Sequence, residues 1–325
     1  MKQLGCGCAT KLLLLSLIIV LALFGVGLIF GPLGASFFGI ETPDFMAVPK
    51  PHVALPSEVL FEVGGFPITN TLIACWLSII VLAGVFFLCT RKMKLIPGKL
   101  QNLAEMAIEA LLSFVQGAAG EKYSRLLFPA VATIFIYVIT NAYLAMLPFF
   151  GTVGWWKIAV AGQEGEPVFV PLFRSANTDV NVPLSIAIMS FVFVEFWGMK
   201  SLGAFRYLRE FFNFGQIVRG IKELFTGKIR PAITNIGFGF INLFVGLLEV
   251  FSHFIRIVSF TFRLFGNMTA GEILLLVSAF LIPFVFTIPF YGLELLIGFI
   301  QALIFAGLTL VFGIIAVAPS HEEQE

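Results

Sequence analysis

The sequence predicts an all-α, polytopic membrane protein of about six membrane helices plus an amphipathic surface helix, and three observations carry that prediction. Of 325 residues, 59% are hydrophobic and 12% charged, with a mean hydropathy of +1.00. A soluble domain cannot keep that much apolar surface from water. The apolar residues gather into runs long enough to cross a hydrocarbon core of about 30 Å. Basic residues punctuate those runs at alternate ends, as in multi-pass proteins with a fixed orientation.

Lys2 and Lys11 precede an apolar run at 12–33, so residues 1–35 read as an amino-terminal transmembrane segment. Its length favours a retained helix, and cleavage near Gly34-Ala35-Ser36, as of a signal peptide, is the alternative. Residues 36–67 mix Pro43, Pro49, Pro51 and Pro56 with Glu41, Asp44, Glu58 and Glu62 and read as an exterior linker. A membrane domain follows over 68–319. Its first span, 68–90, is closed by Arg91, Lys92, Lys94 and Lys99.

In 101–117, Leu103, Met106, Ala107, Ala110 and Phe114 recur at helical spacing opposite Gln101, Glu105 and Glu109. This pattern fits an amphipathic helix lying on the membrane surface or capping a partner. Residues 126–147 span again, with Asn141 inside, and 148–181 form an outer loop in which Trp155 and Trp156 suit the interface. Residues 182–199 return, carrying Glu195, and 200–230 are polar and basic. After Pro231 the chain approaches its central apolar stretch, and 282–317 supply a last long helix or helix pair interrupted by Pro283, Pro289 and Gly292. Residues 320–325 are an acidic tail.

All but Lys50, Lys157, Arg174, Arg256 and Arg263 of the 20 Lys and Arg residues fall in segments that this topology places inside. The bias puts both termini in the cytoplasm. The net charge of +1 carries no nucleic-acid signal. Cys6, Cys8, Cys75 and Cys89 form no metal set, because Cys6-Gly-Cys8 is too short for a zinc knuckle and no histidine pair accompanies it. No GxxxxGK[ST] loop occurs, so nucleotide chemistry belongs elsewhere and no cofactor is expected.

The central stretch, 249–276, places Glu249, His253, Arg256, Arg263, Asn267 and Glu272 among apolar residues. An arginine at mid-bilayer costs about 2.5–3.5 kcal/mol on insertion scales, so it persists where it meets a partner or water and marks function by default. At about 100° per residue, Asn267 and Arg256 share the face of Arg263, Glu249 lies near it, and Glu272 projects oppositely. Glu294 and Gln301, seven apart, share a face of the final helix. Gly266, Ala270, Gly271, Gly298, Ala302 and Gly307 permit close helix approach.

The run RLFGNMTAGE, 263–272, closely resembles the signature of subunit a of the F-type ATP synthases, the stator part of a rotary ion motor. PGKLQNLAEMAIE (97–109), FPAVATIFIYVITNAYLAMLP (128–148), NTDVNVPLSI (177–186) and IQALIFA (300–306) resemble further blocks of that family in the same order. The likeness covers roughly residues 56–320, so the amino-terminal helix departs from the commonest family pattern.

The resemblance implies that the last two long helices are strongly tilted along a ring of c subunits. It makes Arg263 the group that meets each rotor carboxylate, favours its ionised form and blocks direct passage of ions between two offset half-channels. Arginine suits this better than lysine, which loses its proton when desolvated. By the same resemblance Asn267 bonds the arginine or a water, and Gln301 stands opposite it. Glu272 and Glu294 become a titratable pair near the outer half-channel, Glu249 the acid on the inner side, and Asp179 with Asn181 the polar pair near the outer mouth. The implied partners are the c-ring, b-type peripheral stalk subunits, the rest of the synthase and lipid. The implied location is a bacterial cell membrane, and the chain is not an enzyme by itself.

The rival reading is a proton-coupled secondary transporter, which predicts inverted repeats about a midplane site. No repeat relates the two halves, although the Pro- and Gly-interrupted segment near 290 keeps that reading open. A purely structural anchor does not explain Arg263, Glu272 and Glu294 together.

Overall fold

The computed structural model describes residues 4–39, 55–160, 163–203, 215–225 and 229–317. The acidic tail and residues 40–54 lie outside the described residues. Among those described, six helices are long and apolar enough to cross a membrane: Thr10–Phe30, Asn70–Thr90, Lys99–Ala145, Asn181–Ser201, Ile233–Leu281 and Thr287–Val317. The chain is an all-α polytopic membrane protein.

Helix α1 (Leu4–Phe30) ends at Gly31, and Pro32 opens the short α2 (Pro32–Phe38), a position where its missing N–H costs nothing. Helix α3 (Asn70–Thr90) is 21 residues long, about 30 Å at 1.5 Å per residue. It stops where Arg91 and Lys92 begin. Helix α4 (Lys99–Ala145) runs through both the amphipathic stretch and the next span, but Gly120 interrupts it at φ 69°, ψ 169°. Glycine takes that backbone shape without the clash a Cβ brings, so the surface-type segment and the span are separate rods. Leu103, Met106 and Phe114 on the former are exposed.

Helices α5 (Asn181–Leu202), α6 (Gly215–Phe225), α7 (Ile229–Leu281) and α8 (Thr287–Val317) complete the set. With 53 and 31 residues, α7 and α8 are about 80 and 46 Å long. Both exceed a bilayer core, and such lengths are accommodated by tilt or by running along the interface. The expected break within 282–317 is confined to the turn before α8, where Phe284 adopts φ 77°. Pro289 sits in the first turn of α8, where no helical N–H is required of it, and Gly292 leaves the helix unbroken.

Two antiparallel hairpins occupy segments expected as linker and loop. Strands β1 (Val59–Val63) and β2 (Phe66–Thr69) pair around Gly64-Gly65, both with positive φ, as a tight two-residue hairpin turn requires. Strands β3 (Gly154–Val160) and β4 (Gln163–Pro171) pair in the outer loop, and β3 carries the exposed Trp155 and Trp156.

The chain divides into two compact units. One holds residues 1–76, 141–179 and 266–300. Within it, α1 docks closely on the turn before α8: a Cβ at Gly27 would lie 2.5 Å from the Pro283 carbonyl oxygen, and Phe24 meets Phe286 at 6.3 Å between ring centroids. The other unit holds residues 77–140, 180–265 and 301–325. Its core joins α7 and α8 through Phe260, which contacts the rings of Phe305 and Phe312 at 4.9 and 6.2 Å. Buried Ser190 of α5 and Thr309 of α8 share a 2.7 Å hydroxyl contact.

Candidate functional site

In the first unit the polar groups concentrate where the chain enters α3, before α5, and along α7 and α8. Glu272 is ion-paired to Arg174, whose Nε donates to both carboxylate oxygens at 3.0 and 3.2 Å while Nη1 donates to the Pro56 carbonyl at 3.2 Å. Arg174 retains 8% of its exposure and Glu272 28%, so the pair is largely withdrawn from solvent. Charge-assisted bonds of this kind are about twice as strong as neutral ones. Nearby in sequence, Thr71 Oγ1 donates to Asp179 at 2.9 Å, and buried Asn70 donates to Glu58 and to the Pro171 carbonyl at 3.3 and 3.4 Å.

Glu294 is buried, and its carboxyl group fills the space that a side chain at Gly271 would need. Thr287 lies seven residues before it, on the same face of α8, and is buried too. The side-chain polar atoms of Asn141, Ser175, Asn177, Thr269 and Thr287 are buried without a protein partner among the described residues. Native proteins satisfy such groups, and ordered water is their natural partner where no protein group reaches them.

The second unit holds Arg263, on an exposed face of α7. Its Nη2 donates to Ser259 at 3.4 Å, and its guanidinium stands 6.0 Å from the Phe260 ring. Among the described residues no carboxylate pairs with it. Glu249, Ser252 and Ser259 are exposed at helical spacing from it. Gln301 is buried on α8, and Asn181, the first residue of α5, is exposed. His253 and Arg256 both have neighbours on other helices. His253 Nδ1 lies 2.9 Å from Glu195 of α5, and the Arg256 guanidinium stacks 3.4 Å over Phe312 of α8.

The sequence-derived residues are thus placed unevenly. Glu272 and Asp179 each have a defined partner, but Glu272 meets Arg174 as well as lying one residue from the Gly271–Glu294 contact. Asn267 is exposed, and the side-chain hydrogen bond of Arg263 goes to Ser259. Sequence reasoning missed Arg174, Asn70 and Thr71. Arg174 carried only a weak signal: Leu172 and Phe173 precede it, but Ser175, Asn177, Thr178 and Asp179 follow it and read as an ordinary polar loop.

Among the described residues, the first unit withdraws an Arg–Glu pair and a second carboxyl group from solvent, and the second presents an arginine with no carboxylate partner, so this membrane protein holds charged groups in apolar surroundings. Residues 72–313 match the ATP synthase A chain family. Proteins named ATP synthase subunit a are among the relatives. That of Campylobacter jejuni subsp. doylei is 30% identical over 229 residues, covering 70% of this chain and 81% of its own. Those of Moorella thermoacetica and Helicobacter acinonychis are each 27% identical, covering 77% and 78% of this chain and 90% and 93% of theirs. The chain belongs to the ATP synthase A chain family.

Proposed function

We propose that this chain is the stationary, proton-translocating subunit of the membrane sector of an F-type ATP synthase, working against a rotating ring of c subunits. The observation that carries the reading is Arg263: a cation on an exposed face of an apolar helix, flanked by Phe262 and Leu264, with no carboxylate beside it among the described residues. Leaving such a charge in lipid is costly, whereas a partner helix bearing a membrane-embedded carboxylate supplies what it lacks. Ser252, Ser259, Gly266 and Ala270 are exposed at helical spacing along α7, and small residues let a second helix approach closely.

The guanidinium favours the ionised form of each arriving rotor acid, so the acid releases its proton. It also repels a cation moving straight past it, so ions ride the ring between two offset half-channels. Glu272, Glu294, Asp179 and the partnerless amides and hydroxyls supply the polar path on the outer side, and Glu249 and Asn181 serve as further path groups. Asn267, one helical turn further along α7, and Gln301 of α8 serve as additional polar groups of the path. The driving force is about 2.3 kcal/mol per charge per 100 mV. The chain does no nucleotide chemistry itself. It assembles with b-type stalk subunits in a bacterial cell membrane, with both termini in the cytoplasm.

Arg263→Ala in the assembled synthase tests this. ATP synthesis and ATP-driven proton pumping are expected to be lost, with the complex still assembled and still hydrolysing ATP. Continued coupling in that variant overturns the reading.

A further inference from the structure

Glu272 and Glu294 read from sequence as a pair of equivalent titratable acids, but their surroundings differ. Glu272 receives two hydrogen bonds from the Nε of a buried arginine, and that arginine is held from behind by the Pro56 carbonyl. Protonating Glu272 would leave the Arg174 guanidinium buried without an anion. Glu294 has no ion pair or hydrogen bond among the described residues, so gaining or losing a proton there disrupts no bonded partner. The other carboxylates of the unit with bonds in this region, Glu58 and Asp179, accept from the neutral Asn70 and Thr71. Thr287 lies on the face of Glu294, and buried Ser175 and Asn177 flank Arg174 in sequence. These three have buried polar atoms with no hydrogen-bond partner among the described residues, and ordered water is what such groups take where no protein group reaches them.

We propose that Arg174 is the resident counter-ion of Glu272, that Glu272 stays ionised throughout the transport cycle, and that Glu294 is the outer-side group that takes up and hands on each proton. This rests on the proton-translocating reading above and splits the roles of two acids which that reading groups together. Water delivers a proton to the Glu294 carboxylate, and the same proton later leaves for the rotor acid. Arg174 is then a positioning residue, which fixes the charge and orientation of Glu272 and touches no proton in transit.

The test uses the complete synthase in inverted vesicles, with assembly, ATP-driven proton uptake and its pH profile measured for each variant. Arg174→Gln and Glu272→Gln alone are each expected to lower proton uptake tenfold or more, because each strands the other charge. Combining them is expected to restore uptake to within threefold of the parent, with the midpoint of the pH profile unmoved. Glu294→Gln is expected to abolish uptake with or without Arg174→Gln. A double Arg174→Gln/Glu272→Gln variant as inactive as Glu272→Gln alone, or one that fails to assemble, overturns the proposal, as does parental activity in Arg174→Gln. Should the single variants fail to assemble, the double variant decides by the same criterion. Arg263→Ala, run alongside, separates the two claims. Its continued coupling removes the proton-translocating reading itself, whereas its loss of coupling beside an inactive double variant removes the counter-ion alone.

Discussion

The carboxyl group of Glu294 occupies the space beside Gly271 that any larger residue would fill. Gly271 is buried on α7, so Gly271→Ala has no solvent-filled space to expand into and must push the Glu294 side chain aside. The obstructing atoms are the end of a flexible side chain, so the substitution falls on the position of the Glu294 carboxyl group rather than on the backbone. Within the complex it is expected to cut ATP-driven proton uptake severely while leaving ATP hydrolysis in place. Adding Glu294→Asp, which shortens the acid by one methylene, should return part of the uptake. Full uptake in Gly271→Ala would show that the position of Glu294 is not critical.

Glu195 and His253 make a second prediction, because they join α5 to α7 at 2.9 Å with 15% and 16% exposure. Removing one partner leaves the other poorly satisfied, which costs about 1–3 kcal/mol, whereas replacing both by apolar groups is close to neutral. Glu195→Leu and His253→Leu should each lower the temperature at which this subunit is lost from the detergent-solubilised complex. The double variant should recover most of that loss. Equal losses that simply add in the double variant would mean that the pair is uncoupled.

Most of the helical framework was legible in the sequence because bilayer physics leaves few options. Every spanning run must satisfy its backbone internally, and basic residues such as Arg91 and Lys92 mark where the apolar run stops. The hairpins were not legible to the same degree. Glu58, Glu62 and the prolines made 36–67 look like linker, although the Gly64-Gly65 pair between β-prone residues is a hairpin signal. In the site, the family-like residues of α7 and α8 were readable from one contiguous motif and its spacing. Arg174 pairs with a residue 98 positions away, and Glu195 meets His253 across two helices. Periodicity within one helix carries no information about such pairings. An ionisable residue in an apolar setting announces only that it needs a partner.

Ser190 and Thr309 give a graded prediction about packing in the second unit. Hydroxyl bonds between membrane helices average about 0.6 kcal/mol, and Thr309 also donates to the Phe305 carbonyl at 2.9 Å. Ser190→Ala should therefore change thermal retention of the subunit very little. Ser190→Leu adds volume to a buried contact and should destabilise by about 1–3 kcal/mol. The same retention assay reads both, and a larger effect from alanine than from leucine would contradict close packing at the Ser190–Thr309 contact.

The final prediction concerns α1, which is exposed along Leu12–Val20 yet closely docked near its end. Gly27 faces the Pro283 carbonyl too closely for a Cβ, and Phe24 contacts Phe286. The anchoring is therefore local: a few residues of α1 hold the turn that leads into α8 and sets where Glu294 begins its helix. Cysteines at residues 24 and 286 are expected to be joined by a short bifunctional thiol reagent in native membranes. Adding Gly27→Leu should abolish the cross-link, because a leucine there meets backbone rather than a movable side chain. If α1 merely decorates the turn, proton uptake by Gly27→Leu stays at the parental level. If α1 positions the turn, uptake falls together with the cross-link, because α8 and Glu294 shift with it. The close approach at residue 27 favours the second outcome: backbone contacts on that turn are what fix the start of α8. A cross-link that survives Gly27→Leu would refute the docking itself.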